Sequence, residues 1–304
     1  MNYNVLVFMS TYNGEKYLRE QLDSIFNQTN VNIKLLVRDD GSSDNTVNIL
    51  KEYSKKKLLE WYSGENLGPA YSFLDVIMKP DYIDYDYFAL CDQDDVWLSD
   101  KLSIGIDHLE KLDKNIPLLY YGCPRLVDKD LNSIPISKKA YQSFTNFYSS
   151  IIVSNATGCT FVFNKKLLNL VRTVKPSFIG MHDGWIHKIC LSCGGKVYYD
   201  SDVHILYRQH GNNVVGISSS VKGSVRNFFN TLISRKNYSS RINKSIYDYF
   251  SGYMTEDCLQ YLDLTINYKQ DLRKYFRLLF SNKIRTSYFD RNLLFKIRVL
   301  LKRF

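Results

Sequence analysis

A chain of 304 residues with 45% hydrophobic and 14% aromatic side chains can bury a sizeable core. That excludes disorder over most of its length and sets the scale at one large α/β domain with or without an appendage. The net charge of +9 is local: residues 272–304 hold ten Lys or Arg against the single acid Asp290, and the remainder balances, so the excess asks for an explanation at one end of the chain.

The opening MNYNVLVFMS lacks the ordered charged, apolar and cleavage regions of a secretory leader, and none is expected. The longest uncharged run, residues 140–164, is too rich in Ser, Thr and Asn to span a bilayer. The six cysteines include one CxxC, Cys190 and Cys193, with no second pair to complete a zinc site. Reduced thiols and a cytoplasmic location are expected.

In chain order, Asn4–Met9 is a short apolar run of strand type. Residues 15–28 place Tyr17, Leu18, Leu22, Ile25 and Phe26 at helical spacing. Ile33–Val37 predicts a second strand, Gly41–Asp44 a turn and cap, and Thr46–Lys55 a helix with Val47, Leu50 and Tyr53 inward. Leu58–Tyr62 predicts a third strand, Pro69–Met78 a helix and Tyr87–Leu90 a fourth strand. This βαβαβαβ series predicts an α/β fold, a mostly parallel sheet with helices on both faces. Strand-like runs follow at Pro117–Tyr121, Cys159–Phe163, Lys196–Tyr199 and Val203–Tyr207. From about Val221 the pattern turns helical, aromatic and basic, which sets a boundary near Ser218–Ser220 between residues 1–218 and 219–304.

In open parallel sheets ligands bind beyond the carboxyl ends of the strands, and polar clusters fall at each such end. STYNG follows the first strand, RDDGSSD the second, GENLG the third and CDQDD the fourth. Each alone reads as an ordinary turn; four in register are harder to dismiss. The last crowds Asp92, Asp94 and Asp95 after an apolar strand. A surface turn leaves that placement unexplained, and a calcium loop would spread its acids over twelve residues around a central Gly. A divalent ion carrying a phosphorylated substrate fits better, since one or two carboxylates plus diphosphate oxygens complete an octahedral site for Mg²⁺ or Mn²⁺.

STYNGEKYL, VRDDGSSDNT, GENLGPAYSF and CDQDDVWLSDKL, in this order, resemble the inverting family 2 glycosyltransferases of the GT-A fold over roughly residues 3–215. Asp92-Gln93-Asp94 stands where that family has its DxD signature. The resemblance implies that Asp94 coordinates the metal, with Asp92 near the ribose or supporting the metal. It implies that Asp40, with Asp39, accepts the N3–H of a pyrimidine, that Ser10 and Tyr12 line the nucleotide pocket, and that Asn66 and Gly68 complete its floor. It also implies an acidic catalytic base in the second half. MHDGW offers His182-Asp183, making Asp183 the base, and a helix N-cap role for Asp183 is compatible with that. Trp185 is a candidate to stack on a sugar face, or is core. In YRQHGNN, Arg208 is a candidate partner of the diphosphate and His210 a third metal ligand; a surface salt bridge and a loop histidine are the plainer alternatives. The Gln-x-x-Arg-Trp motif of processive synthases is absent, which implies a single-addition enzyme.

The pairing of CDQDDVW with HDGW and YRQHGNN looks most like bacterial polysaccharide rhamnosyltransferases. Those use dTDP-β-L-rhamnose, and their acceptors are lipid-linked saccharides of capsule, O-antigen or cell-wall assembly. A UDP-hexose donor keeps the same residues, and a catalytically silent scaffold subunit is the alternative from another class. A nucleotidyltransferase would want a Gly-rich basic signature near the amino terminus that is missing. In the basic tail, apolar residues recur every three or four positions between Lys and Arg, which suits peripheral attachment to an anionic membrane surface. A packed helix with a solvated basic face is the alternative, and no base-reading motif points to nucleic acid. Removing residues 272–304 is expected to release the protein from membranes and to spare donor hydrolysis.

Overall fold

The computed structural model describes residues 2–79, 84–135, 143–153, 156–210 and 237–304. The expected alternation appears as β1 (Tyr3–Thr11), α1 (Leu18–Phe26), β2 (Val31–Asp39), α2 (Thr46–Lys55), β3 (Leu59–Ser63), α3 (Gly68–Ile77) and β4 (Tyr87–Cys91). The four strands are parallel in the order β3-β2-β1-β4. Helix α2 has the expected bounds, with Ile49 rather than Val47 in the core.

Then come β5 (Val96–Trp97), α4 (Lys101–Glu110), β6 (Leu118–Gly122), β7 (Arg125–Val127), α5 (Phe147–Ile152), β8 (Val162–Asn164), α6 (Lys165–Val171), α7 (His182–Ser192), β9 (Lys196–Asp200) and β10 (Ile205–Arg208). A seven-stranded sheet runs β3-β2-β1-β4-β8-β6-β9, with β8 antiparallel to both neighbours. The run at Cys159–Phe163 becomes a strand only at Val162, because Gly158–Thr160 closes a 3₁₀ turn. A second sheet, β5-β10-β7, ties the segment after β4 to the chain 110 residues further on.

Period-two alternation sends β1 side chains to two cores. Val5, Val7 and Met9 pack with Leu18, Leu22 and Ile25 of α1 and with Leu102 and Ile106 of α4. Leu6 and Phe8 face the opposite way, into a core with Phe73 and Ile77 of α3 and with Trp185, Ile186 and Ile189 of α7.

The second core continues into the last quarter of the chain, in α8 (Tyr238–Phe250), α9 (Glu256–Asn267), α10 (Leu272–Leu279) and α11 (Phe289–Leu300). Phe250 packs edge-on against Trp185 at 5.6 Å. Leu262, Leu278, Ile284, Phe295, Val299 and Phe304 are buried in the same cluster as Phe8. The boundary expected near 218–220 lies outside the described residues, but the helices beyond it share a core with the sheet. Cutting at Leu272 would strip Phe295, Val299 and Phe304 from that core, so such a truncation removes packed residues together with the exposed amphipathic surface. The opposite faces of α10 and α11 remain amphipathic: Leu272, Phe276, Phe280, Phe289, Leu293, Leu300 and Leu301 are exposed among the basic residues. No helix among the described residues is long and apolar enough to cross a membrane.

Candidate active site

Parallel register brings the polar clusters to one edge of the sheet. Ser10 lies beside Arg38, Thr11 beside Asp39, Asp39 beside Ser63, and Met9 beside Cys91. A cavity of about 1280 Å³ opens there. Ser10, Tyr12, Asp40, Asn66, Gly68, Asp92, Asp94, Asp183, Trp185 and His210 all line it; Asp39 and Arg208 do not.

Asp39 is 1% exposed and organises the loop after β2. It accepts hydrogen bonds from the Ser42 amide at 3.1 Å, the Ser42 hydroxyl at 2.6 Å and the Ser63 hydroxyl at 3.2 Å. The expectation that it contacts the nucleotide is corrected: its oxygens serve the backbone that holds its neighbour. Asp40 reaches the cavity, paired with the buried Arg38 guanidinium. It accepts the Leu67 amide at 2.9 Å and the Gly68 amide at 3.0 Å, so it also shapes the Asn66–Gly68 floor. Gly68 sits at φ +73°, where a side chain would be strained. Ser10 shares a 2.5 Å hydrogen bond with Ser72.

Tyr12 is half exposed, with its ring available to a ligand. Its position depends on Gln93, the middle residue of the DQD stretch, which the sequence reading left without a role. The Tyr12 amide donates to Gln93 Oε1 at 2.9 Å, and Gln93 Nε2 donates to the Tyr12 carbonyl at 3.0 Å. Gly14 makes room for this clamp: a Cβ there would lie 2.7 Å from Gln93 Cδ. An amide with both a donor and an acceptor, opposite a glycine, was the available signal.

Asp94 and His210 meet across 116 positions of sequence, with Asp94 Oδ2 and His210 Nε2 2.8 Å apart. Two ligands at right angles around an ion with bonds of about 2.1 Å sit about 3 Å apart, so this pair fits a Mg²⁺- or Mn²⁺-sized cation. Asp92, Asp95 and Cys159 also approach within 4.8 Å of one another. Burial raises the Cys159 thiol well above its ordinary pKa and keeps it protonated, which suits no hard cation. Burial, with the charges of Asp94 and Asp183, raises Asp92 to about 7, so a cation beside it would favour its ionised form.

Asp95 faces inward with 0% exposure. One oxygen accepts the Arg208 amide at 3.1 Å, locking the DQDD turn to β10, and the other has no hydrogen-bond partner among the described residues. Lys101, buried 3.6 Å over the Trp97 ring, supplies positive charge nearby; burial lowers its pKa to about 8.

Arg208 corrects its expected role. It is 2% exposed, donating to the Asp94 carbonyl at 2.9 Å and to the Lys129 carbonyl, pairing with Glu20, and lying 4.4 Å over the Tyr17 ring. Its guanidinium holds the acidic turn from behind and is committed before any diphosphate arrives. The same Tyr17 ring packs on His210 at 5.1 Å.

Asp183 opens α7 and lines the cavity. The Gly184 amide donates to its Oδ1 at 2.6 Å, and burial raises it to about 6 against those backbone hydrogen bonds. It lies close enough to Asp92 for its charge to raise that group. His182 stacks on Phe73 at 4.0 Å and is held neutral, its pKa lowered to about 3 by burial. Of the dipeptide, Asp183 is the side chain with the higher proton affinity. Trp185 touches the cavity wall but is 1% exposed and packed against Phe250. It belongs to the core, and the sugar-stacking expectation is corrected.

The sequence model described as Glycosyl transferase family 2 matches residues 6–171. The chain belongs to family 2 of the glycosyltransferases. This glycosyltransferase is 31% identical over 254 residues to the dTDP-rhamnosyl transferase RfbG of Shigella flexneri, covering 78% of this chain and 82% of that protein. It is 31% identical over 169 residues to the UDP-Glc:alpha-D-GlcNAc-diphosphoundecaprenol beta-1,3-glucosyltransferase WfgD of Escherichia coli, covering 55% of this chain and 63% of that one. Among solved structures, S. aureus TarS 1-349 in complex with UDP-GlcNAc superposes with a TM-score of 0.58 at 15% identity, over 93% of this chain and 77% of that one. The mannosyltransferase PcManGT from Pyrobaculum calidifontis, in complex with GDP-Man and Mn2+, superposes at 0.52 with 13% identity, over 100% and 89%. The fold is the GT-A fold expected from the sequence.

Proposed function

We propose that this glycosyltransferase moves L-rhamnose, with inversion, from dTDP-β-L-rhamnose to a lipid-linked saccharide in bacterial polysaccharide assembly. The reaction takes place at the cytoplasmic face of an anionic membrane. The observation that carries the reading is one cavity holding both the Asp94–His210 pair and Asp183, a carboxylate at the start of α7 raised by burial. The likeness to RfbG over most of both chains supports the donor.

The chemistry follows from the residues. Asp94 and His210 would hold a divalent cation, Mn²⁺ or Mg²⁺, whose charge offsets that developing on the departing diphosphate. Asp40, which reaches the cavity beside the Arg38 guanidinium, would meet the N3–H of a pyrimidine, and the half-exposed Tyr12 ring would meet its face. The Asp183 carboxylate, with a pKa of about 6, is ionised at neutral pH and basic enough to take the acceptor hydroxyl proton as that oxygen attacks. Direct attack by the acceptor oxygen, with Asp183 taking its proton, is a single displacement and inverts the anomeric centre.

The deciding experiment offers dTDP-rhamnose and UDP-glucose in parallel and measures nucleotide release with Mn²⁺, Mg²⁺ or EDTA. Rhamnose transfer that needs the ion, and that requires about 10–100-fold more Mn²⁺ in Asp94→Ala and His210→Ala, supports the reading. Turnover of UDP-glucose alone moves the donor to the second reading, which the WfgD likeness favours. Release of neither nucleotide returns the scaffold alternative.

A further inference from the structure

Arg208 holds the acidic turn from behind, so the cation that meets a donor diphosphate has to be another side chain. Among the described residues, lysine and arginine enter the cavity lining at Lys16, Lys188, Arg291 and Arg298. Lys188 is buried in α7, and its amine donates to Asn243 Oδ1 of α8 at 2.8 Å. Arg291 and Arg298 belong to α11. Lys16 stands by the acidic turn. It lies on the segment between β1 and α1, two residues past Gly14, where a Cβ would lie 2.7 Å from Gln93 Cδ. The next residue, Tyr17, places its ring 5.1 Å from the His210 ring. Lys16 Nζ lies 4.9 Å from the centre of that same Tyr17 ring. The amine and the Asp94–His210 pair are thus neighbours across one aromatic side chain. Lys16 is exposed, and no ion pair engages it among the described residues.

We propose that Lys16 pairs with the diphosphate of the donor and stabilises the nucleoside diphosphate as it departs. The inference rests on the transferase reading above and assigns the role that Arg208 cannot fill. Asp94 offsets part of the charge of a cation held beside His210, and the diphosphate gains negative charge as the sugar leaves. In that step the bond from the anomeric carbon to the diphosphate oxygen breaks, and its electron pair stays on the oxygen. The acceptor oxygen forms the new bond and its proton passes to Asp183. Lys16 exchanges no proton; it supplies charge and hydrogen-bond donors. An ammonium on a flexible stem can follow a phosphate oxygen as it turns from ester to free anion. A cation–π contact at an exposed site is weak, and a charge-assisted bond to phosphate outweighs it. The pairing is stronger for the released diphosphate than for the donor, which is the condition for lowering the barrier rather than KM alone.

The test titrates the full chain, in Mn²⁺, with dTDP, with dTDP-rhamnose and with thymidine, which keeps the nucleoside and lacks the phosphates. K16Q is expected to weaken dTDP about tenfold, dTDP-rhamnose by less and thymidine not at all. K16R is expected to restore most of the dTDP affinity. K51Q, at an exposed lysine of α2 outside the cavity lining, controls for overall charge and should bind dTDP as the wild type does. The ligand-free melting temperature of K16Q should match the wild type, because the side chain is exposed. If the chain takes UDP in place of dTDP, then UDP, UDP-glucose and uridine replace the three ligands. An unchanged diphosphate affinity in K16Q overturns the pairing, as does an equal loss in K51Q or an equal loss for the nucleoside. A loss as large for the nucleotide sugar as for the free diphosphate overturns the role in departure. A wild-type chain that binds neither dTDP nor UDP with Mn²⁺ sinks the transferase reading beneath it.

Discussion

Replacing Asp183 by Asn tests the base directly, because the amide keeps the shape of the side chain and its Oδ1 still accepts the Gly184 amide, now 2.6 Å away. Removing a general base costs about 10²–10⁴ in rate, or about 2.7–5.4 kcal/mol of barrier at 1.36 kcal/mol per decade. Burial adds a pH signature. With a pKa of about 6, Asp183 is about nine-tenths ionised at pH 7 and about one-tenth at pH 5, whereas an ordinary aspartate near 3.9 stays ionised at both. The wild-type kcat/KM should therefore fall about tenfold from pH 7 to pH 5, and Asp183→Asn should lose this limb along with its activity. Stability moves the opposite way. A carboxyl raised in the folded state is neutral in both states below about pH 4, and its ionisation destabilises the fold as pH rises through about 6. Asp183→Asn should then melt higher than wild type at pH 8, with the gap closing as pH falls below about 6. Rates of dTDP release at acceptor concentrations well below KM, with thermal melts at matched pH, measure both. A variant retaining more than a tenth of wild-type activity, or a wild-type profile flat to pH 5, would falsify the assignment.

Gly14→Ala should drive a Cβ to 2.7 Å from Gln93 Cδ, break the clamp on Tyr12, lower stability by about 1–3 kcal/mol and raise the donor KM. Adding Gln93→Ala should recover part of the melting temperature, and no recovery would show that the clash lies elsewhere. Arg208→Lys should act on stability, because a lysine cannot reach the Asp94 and Lys129 carbonyls and Glu20 together, at a cost of about 1–3 kcal/mol; a stable variant with only a raised donor KM would instead restore a diphosphate role. Phe280→Ser with Leu301→Ser should abolish co-sedimentation with phosphatidylglycerol-containing vesicles at an unchanged melting temperature, since both side chains are exposed. Undiminished co-sedimentation would move the membrane contact away from α10 and α11.

The likeness to family 2, the parallel strands and the edge where the motifs gather are determined by local sequence. Apolar runs of strand length alternate with helical periodicity from Tyr3 to Cys91, and parallel pairing then leaves every strand's carboxyl end on one side, so STYNG, RDDGSSD, GENLG and CDQDD converge without any knowledge of the rest. What local sequence could not decide is which polar side chains face the cavity. Asp39 and Asp40 are adjacent and chemically identical, but Asp39 closes β2 and binds the loop, whereas Asp40, one residue past the strand, reaches the site. Arg208 meets Glu20 across 188 positions, and Trp185 meets Phe250 only after the last helices fold back. The basic tail shows the same division. Its amphipathic period is readable in isolation, but whether a helix's apolar face meets lipid or core depends on what packs against it, and for Phe295 and Val299 the answer is the core of the enzyme itself.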